Sequence, residues 1–324
     1  MRNILLIALV AIASACSGGN THNTSSDTEK STFEALGNFS ADSAYSYVAR
    51  QVDFGPRVPG TKAHAACGRW LVEELNRLGA DTVMVIGSEV TAWDGTLLPV
   101  RNILAKFKGT SDSRPILLAA HYDTRPWADE DDDLEARKRP FDGANDGASG
   151  VGVLLEIARN LGIQPASVPV EILLTDVEDY GSSGIDGSWC LGSEQFAENL
   201  PYTAAENPRW GILLDMVGGK DARFPREYFS TRHAVVPVTK VWDMAAKLGL
   251  RSRFPISIGG AITDDHLPLT AAGIPTANII ESQNPETGSF PPTWHTSADN
   301  IDNIDPQTLN DVGRTVLNTI YYEK

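Results

Sequence analysis

Residues 116–123 read Ile-Leu-Leu-Ala-Ala-His-Tyr-Asp, and residues 147–161 read Gly-Ala-Ser-Gly-Val-Gly-Val-Leu-Leu-Glu-Ile-Ala-Arg-Asn-Leu. The first stretch opens with a short apolar run that is typical of a buried strand and ends at a histidine. The second stretch places apolar residues at helical spacing and predicts an amphipathic helix. Residues 168–175 are again apolar and predict another strand. A strand, a helix and a strand in this order predict parallel pairing with a crossover helix.

The same alternation extends over most of the chain. It predicts an α/β fold with one domain, in which a central mostly parallel mixed sheet is flanked by helices on both faces. No Pro/Gly/Ser-rich linker divides the body. The further predicted strands are 82–86, 101–108, 210–214 and 274–280. The further predicted helices are 40–51, 61–78, 191–199, 236–248, 266–272 and 306–321.

The N-terminus has the features of an export signal. Arg2 precedes an apolar run, residues 4–13, and small residues precede Cys16. The run is too short for a stable membrane span, and its placement before Cys16 resembles a bacterial lipoprotein signal. We therefore expect a signal peptide over 1–15, a flexible tether over 16–37 and a catalytic domain over 38–324. An ordinary signal peptide cut nearby is the alternative. The expected protein is an exported lipoprotein, anchored in a membrane only through lipid on Cys16 and facing the periplasm.

Composition limits the possible partners and the redox chemistry. The formal net charge is −15 over 324 residues, which argues against nucleic acid because phosphate binding needs a basic face. Hydrophobic residues make up 42% of the chain, enough for a sizeable core. Beyond Cys16, only Cys67 and Cys190 remain, far apart in sequence, and we expect two buried free thiols.

Acids and histidines follow the predicted strands. Alone, each has a structural explanation, such as a helix cap for Asp146 or a turn residue for Asp215. Together they place a carboxylate or an imidazole at four separate strand ends, where an open α/β sheet carries its chemistry. Imidazole nitrogen and carboxylate oxygen are zinc ligands, and a spare carboxylate beside them can move protons. The residues are His121, Asp123, Asp146, Glu178, Asp179, Asp215 and His295.

The segment 125–140 interrupts the alternation of strands and helices. It carries six acids between 129 and 135, followed by three basic residues at 137–139. A calcium loop and a trap for basic substrates are the functional interpretations, but the glycine and ligand spacing of a calcium loop is missing. We therefore expect a solvated insertion near the mouth of the site.

Several motifs in fixed order resemble the zinc-dependent M28 superfamily, which joins aminopeptidases and glutaminyl cyclases on one fold. The resemblance covers roughly residue 38 to the C-terminus, and an ordered set of motifs is more specific than any single one. The motifs are His121-Tyr122-Asp123, Gly143-Ala144-Asn145-Asp146-Gly147-Ala148-Ser149-Gly150, Asp176-Val177-Glu178-Asp179, Leu213-Leu214-Asp215, Asp264-Asp265-His266 and Trp294-His295-Thr296.

The two branches imply different metal contents. Aminopeptidases hold two metals, and the resemblance would put the first on His121 and Asp215 and the second on Asp179 and His295, with Asp146 bridging. Cyclases hold one zinc, which would lie on Asp146, Asp179 and His295. Because His121 and Asp215 are both retained, the sequence leaves a second metal open.

Two features favour the cyclase branch, in which an N-terminal glutamine becomes pyroglutamate and ammonia is released. Trp294 precedes the last histidine, and Asp264 stands where aminopeptidases commonly have serine. The acid pair Glu178-Asp179 departs from the common Glu-Glu, although Asp179 remains an oxygen ligand. The alternatives are an aminopeptidase with two zinc ions and, disfavoured because ligands and base are intact, a non-catalytic binding lipoprotein.

The resemblance also implies roles for the remaining site residues. Glu178 would transfer protons, and Asp215 and Asp264 would form a hydrogen-bonded carboxyl pair. Trp294 and Trp189 would wall the substrate pocket. The implied cofactor is one Zn²⁺, and the implied partners are peptides and exported proteins that begin with glutamine.

Overall fold

Six strands form one mixed sheet in the computed structural model, which describes residues 33–203 and 205–324. They lie in the order β1-β2-β4-β3-β5-β6, where β4, β3, β5 and β6 are parallel and β1 and β2 are antiparallel to their neighbours. The predicted mostly parallel mixed sheet is therefore confirmed. The strands are β1 (Thr82–Thr91), β2 (Leu97–Phe107), β3 (Ile116–His121), β4 (Val170–Thr175), β5 (Gly211–Asp215) and β6 (Thr276–Ile280).

Eight α-helices accompany the sheet in the described ranges. Ser40, Thr61 and Asp305 cap the first, second and last of them with side chains that accept backbone N–H groups. The six-residue α5 was not predicted, because it is too short to show a helical period. The helices are α1 (Ala41–Val52), α2 (Lys62–Arg77), α3 (Ala148–Ile163), α4 (Leu191–Glu198), α5 (Tyr228–His233), α6 (Val235–Lys247), α7 (His266–Ala271) and α8 (Pro306–Tyr321).

The two faces of the sheet are covered by different helices. Leu118 and its same-face neighbours in β3 belong to the main core cluster, which contains residues of α1, α2, α3, α6 and α8. Leu117 and Ala119 point the other way, into a smaller cluster with Phe196 of α4 and Leu269 of α7. Full burial of a leucine or phenylalanine side chain contributes about 1.5–3 kcal/mol. The predicted helices on both faces are therefore present.

Helix α3 is the central helix of the fold. The sequence predicted one apolar face, but nearly all of its residues are buried, because α1 and α8 pack on the side away from the sheet. Gly150 permits this, since a Cβ there would lie 2.2 Å from the carbonyl oxygen of Leu214. The close approach brings the start of α3, just after Asp146, next to the end of β5.

Strands β1 and β2 are longer than predicted and form an extended antiparallel hairpin with ten paired positions. Exposed and partly buried residues alternate along most of β1, where Val83 packs against the main core cluster and Met84 and Ile86 pack against the smaller one. Cys67 and Cys190 are buried free thiols, as predicted. None of the helices in the described part of the chain is both long and apolar enough to cross a membrane.

The expected signal peptide, Cys16 and residues 16–32 of the expected tether lie outside the described residues. From Phe33 to Lys324 the chain forms one unit.

Candidate metal centre and active site

The predicted ligands meet at the carboxyl ends of the parallel strands. His121 is the last residue of β3 and Asp215 is the last residue of β5. Asp179 follows β4 by four residues, and Asp146 precedes α3. Adjacent parallel strands end at the same edge of the sheet, which is why residues far apart in sequence converge here.

Two His-Asp-Asp trios lie side by side. His121 Nε2 is 3.1 Å from Asp146 Oδ1 and 3.2 Å from Asp215 Oδ1. His295 Nε2 is 3.2 Å from Asp179 Oδ1 and 3.6 Å from Asp146 Oδ2. One carboxylate oxygen of Asp146 faces each histidine, so this residue is shared by both trios; the bridging of two metals that the aminopeptidase branch implied stays a prediction.

The trios suit a zinc ion. In each one, the possible ligand atoms lie within 4.8 Å of one another, and all five residues are buried. Asp179 Oδ2 is buried without a hydrogen-bond partner among the described residues. Leaving a buried charged oxygen unsatisfied is costly, and a bound cation would remove that cost. The donor set of imidazole nitrogen and carboxylate oxygen matches zinc chemistry.

A layer of carboxylates behind the ligands holds their backbone. Asp123 accepts the N–H groups of Glu178 and Asp179, each at 3.2 Å. Asp299 accepts the N–H groups of Asn145 and Asp146 at 2.7 and 3.0 Å. The sequence placed Asp123 at the site without a role and missed Asp299, which follows no predicted strand.

The insertion 125–140 takes part in the site, which corrects the expectation of a merely solvated segment. Asp129 Oδ1 lies 3.4 Å from His295 Nδ1, and Arg125 donates to Asp129 at 2.7 Å. Arg125 also lies 3.5 Å from Asp179 Oδ1 and donates to the carbonyl of Gly181. Burial alone would raise the pKa of Asp129, but hydrogen bonds from His295 and Arg125 hold it well below its usual range.

Glu178 lies beside the trios without belonging to either. Its Oε1 is 3.4 Å from Cys190 Sγ, and its carboxylate forms a close cluster with Cys190 and Asp264. Burial raises the pKa of Glu178 well above its ordinary value; the charge of His121 opposes this, and Asp179 and Asp264 add to it. A cation bound to Asp179 would lower the pKa of Glu178 again. Glu178 could then both accept a proton and return it.

The charge of Asp215 affects the pKa of Asp264. Burial and then the charge of Asp215 raise the pKa of Asp264 well above its ordinary value. Burial raises the pKa of Asp215 to about 6, although a hydrogen bond with His121 opposes the shift. Asp264 accepts hydrogen bonds from Asn278 Nδ2 and from the N–H of Asp265, both at 2.6 Å. A direct hydrogen bond between Asp215 and Asp264 stays a prediction.

Left-handed backbone conformations concentrate around this cluster. Val177 and Met216 flank Glu178 and Asp215 with φ of 51° and 49°, and Cys190 and His295 have φ of 61° and 53°. A β-branched residue at positive φ is a genuine outlier, and such residues persist only where the surroundings enforce them. The strain turns the chain sharply at the strand ends.

Trp294 and Trp189 stand beside His295. The Trp294 ring lies 3.7 Å from the His295 ring, centroid to centroid, and the Trp189 ring lies 6.1 Å away. Both line a cavity of about 500 Å³ that also exposes Glu178 and Asp264. The sequence missed Phe290, which packs 4.6 Å from Trp294 and lines the same cavity.

Comparison with known proteins identifies the family of the chain. Residues 102–320, which span most of the site, match the model of Peptidase family M28. The chain belongs to peptidase family M28. The resemblance seen in the sequence is thereby confirmed, and the solved relatives share the α/β fold described above.

The similar proteins include glutaminyl cyclases and a leucine aminopeptidase precursor. A Bacteroides thetaiotaomicron glutaminyl cyclase bound to N-acetylhistamine is 48% identical, with a TM-score of 0.84 over 90% of this chain and 100% of that one. A leucine aminopeptidase precursor from the same organism is 47% identical, with a TM-score of 0.83 over 89% and 100%. The glutaminyl-peptide cyclotransferase of Bos taurus is 26% identical over 286 residues, 80% of this chain and 76% of that protein.

Proposed function

We propose that this M28 protein is a zinc-dependent glutaminyl cyclase. It converts the N-terminal glutamine of peptides and exported proteins into pyroglutamate and releases ammonia. The observation that carries the proposal is the composition of one cavity: Trp294 stacks on His295, and the buried acid Asp264 lies against the spare carboxylate Glu178. The solved glutaminyl cyclase at 48% identity supports the same conclusion.

The reaction closes a five-membered ring within one substrate. The α-amine nitrogen forms a bond to the carbonyl carbon of the side-chain amide, and the bond from that carbon to the amide nitrogen breaks. Glu178 takes the proton that the amine loses and delivers it to the departing nitrogen, which leaves as ammonia. A zinc ion held by Asp146, Asp179 and His295 would polarise the amide carbonyl oxygen as a Lewis acid.

The other side chains of the cavity orient the substrate. The flat Trp294 ring covers the aliphatic part of the glutamine and excludes water from the reacting atoms. Asp264 lies close enough to Glu178 to accept hydrogen bonds from the departing nitrogen. Holding the amine against the amide turns two flexible groups into one reactive geometry.

A two-zinc aminopeptidase is the second candidate. The trio of His121, Asp146 and Asp215 favours it, as does the relative described as a leucine aminopeptidase precursor. Against it, Asp146 and Asp215 each place an oxygen within 3.2 Å of His121 Nε2, so that trio is already paired without a metal, whereas Asp179 Oδ2 of the His295 trio is buried without a partner among the described residues. One zinc in that trio satisfies it and leaves His121 hydrogen-bonded to Asp146 and Asp215.

A direct experiment separates these candidates. Purified enzyme is incubated with a peptide that begins with glutamine and with its counterpart that begins with leucine. A cyclase releases ammonia from the first and leaves the second intact, with one zinc per chain by metal analysis. Removal of leucine without ammonia release, together with two zinc ions, would assign the chain to the aminopeptidases.

The substitution Trp294→Ala is expected to lower kcat/KM for a glutamine dipeptide by at least ~10-fold, or about 1.4 kcal/mol. The reason is loss of the wall that positions the glutamine side chain, whereas the ligands remain. Zinc content is measured in parallel and should hardly change. Trp93→Ala is the control, because Trp93 lies on the β1–β2 turn and does not line the cavity. Unchanged cyclisation in Trp294→Ala would mean that this ring only packs.

We also propose that the protein is exported and anchored to a membrane by lipid on Cys16, facing the periplasm. The support is the apolar run that ends before Cys16 and the polar residues 17–30 that follow it. The substitution Cys16→Ser is expected to move the protein from the membrane fraction to the soluble exported fraction, because it removes the residue that would carry the lipid. The contrast should be large, since one acyl chain anchors only marginally but a lipoprotein cysteine carries several. A wild-type protein that already fractionates as soluble would contradict this proposal.

A further inference from the structure

A second cavity adjoins the active site. It is a groove of about 640 Å³ between α4 and α7, open to solvent along its length. Trp189, Gly187 and Thr263 line both this groove and the active-site cavity. The two spaces are therefore adjacent, and both are open to solvent, so a peptide whose first residue fills the active site can pass over these shared residues into the groove.

The lining of the groove suits an extended peptide with a small or apolar residue. Ala197 of α4 and Ala271 of α7 form part of its walls, and their short side chains leave the space open. Leu267 and Pro268 add apolar surface beside them. The volume of this groove exceeds that of the active-site cavity, which is already lined for a glutamine side chain.

Two carboxylates stand on the groove side of α4. Glu194 and Glu198 are one turn apart and both line the groove. Like charges at this spacing destabilise a helix, so the pair of Glu194 and Glu198 does not stabilise the fold. Neither is among the residues that form ion pairs with a lysine or arginine in the described chain. Their negative charge is available to a basic ligand.

The position of these acids follows from helix geometry. Helix α4 begins just after Cys190, whose thiol lies 3.4 Å from Glu178. With a rise of 1.5 Å per residue, Glu194 and Glu198 lie roughly 6 and 12 Å farther along the helix axis. An extended peptide advances about 3.3 Å per residue. For an extended peptide that runs along α4 from the active-site cavity, the two acids would therefore lie beside the residues two and four places after the first one.

We propose that this groove binds the residues after the N-terminal glutamine and selects substrates with lysine or arginine at the third and fifth positions. This inference rests on the proposed cyclase function, because the glutamine must first occupy the active-site cavity. The residue between the two basic ones packs on the apolar wall that includes Ala197, and the basic side chains meet Glu194 and Glu198. The enzyme thus prefers basic N-terminal segments over acidic ones.

The test uses three peptide amides, Gln-Ala-Lys-Ala-Lys, Gln-Ala-Ala-Ala-Ala and Gln-Ala-Glu-Ala-Glu, with the dipeptide Gln-Ala as reference. We expect kcat/KM to rank lysine above alanine above glutamate, with steps of about 3- to 10-fold carried mostly by KM, as exposed ion pairs are weak. The ranking should flatten in high salt, because exposed charges are screened. Gln-Ala should show no salt dependence of comparable size.

A charge-matched pair of variants decides whether the groove itself is responsible. The double variant Glu194→Gln/Glu198→Gln should lose the ranking while it cyclises Gln-Ala like wild type. The control Glu73→Gln/Asp243→Asn removes the same charge from exposed positions of α2 and α6 and should keep the ranking. Equal rates on all three long peptides, or equal loss in both variants, would overturn the groove while the cyclase function stands. Failure to cyclise any glutamine peptide would instead reject the proposed function and the groove with it.

Discussion

Replacing Glu178 with glutamine is expected to lower kcat by about 10²- to 10⁴-fold while zinc stays bound. Glu178 is buried beside Asp179 but belongs to neither His-Asp-Asp trio, so the substitution leaves every predicted ligand in place. Glutamine has nearly the same shape, and its amide oxygen can still accept from the Cys190 thiol. What it cannot do is take the proton from the attacking amine.

The measurement is kcat for a glutamine dipeptide, with zinc quantified on the same preparation. Glu171→Gln is the control, since it makes the same chemical change on β4 at a carboxylate paired with Lys106, away from the cavity. Near-normal turnover in a zinc-replete Glu178→Gln protein would exclude Glu178 as the proton-transfer group.

Removal of a ligand from the His295 trio is expected to remove zinc and activity together. Asp146→Ala and His295→Ala each delete one of three ligands, and the remaining two cannot complete the coordination without water. Even residues behind the ligands typically matter 10- to 100-fold for affinity, so a ligand should matter at least as much. Zinc per chain and kcat should fall in proportion to each other.

The substitution His121→Ala distinguishes one metal from two. His121 contacts Asp146 and Asp215 but does not touch the His295 trio's Asp179 in the described structure. With one zinc on Asp146, Asp179 and His295, this variant should keep most of its metal. Full zinc occupancy in Asp146→Ala would refute the ligand assignment, and equal loss in all three variants would indicate a second metal on His121 and Asp215.

Most of the α/β framework was predictable because its signals are local. The caps at Ser40, Thr61 and Asp305 depend on side chains within three residues of the N–H groups they accept. The apolar run of β3 needs no distant information to be recognised as a buried strand. The missed elements are the six-residue α5, two 3-10 helices of three residues each and the outer part of the β1–β2 hairpin, because their sequences show no apolar period.

The residues expected to bind the metal or to transfer protons were predicted from the sequence. His121 and Asp215 end apolar runs, and the ordered motifs connected them with Asp146, Glu178 and His295. Among the supporting residues, Asp123 was placed at the site from the sequence, but the others were not predictable. Asp299 holds Asn145 across a sequence separation of 154 residues, and no local pattern marks it. Arg125 and Asp129 sit in a segment whose charge suggested solvent, although they contact Asp179 and His295.

By itself the sequence determined the order of strands and helices, the family motifs and the chemical nature of the candidate ligands, because these depend on residue type and on neighbours within a turn or a strand. Only the tertiary structure decided that one oxygen of Asp146 faces each histidine and that the chain path brings Asp299 behind the ligands. It also decided that α4 and α7 enclose a groove leading away from Trp189. These features require segments distant in sequence to meet, and that meeting is set by packing around the sheet.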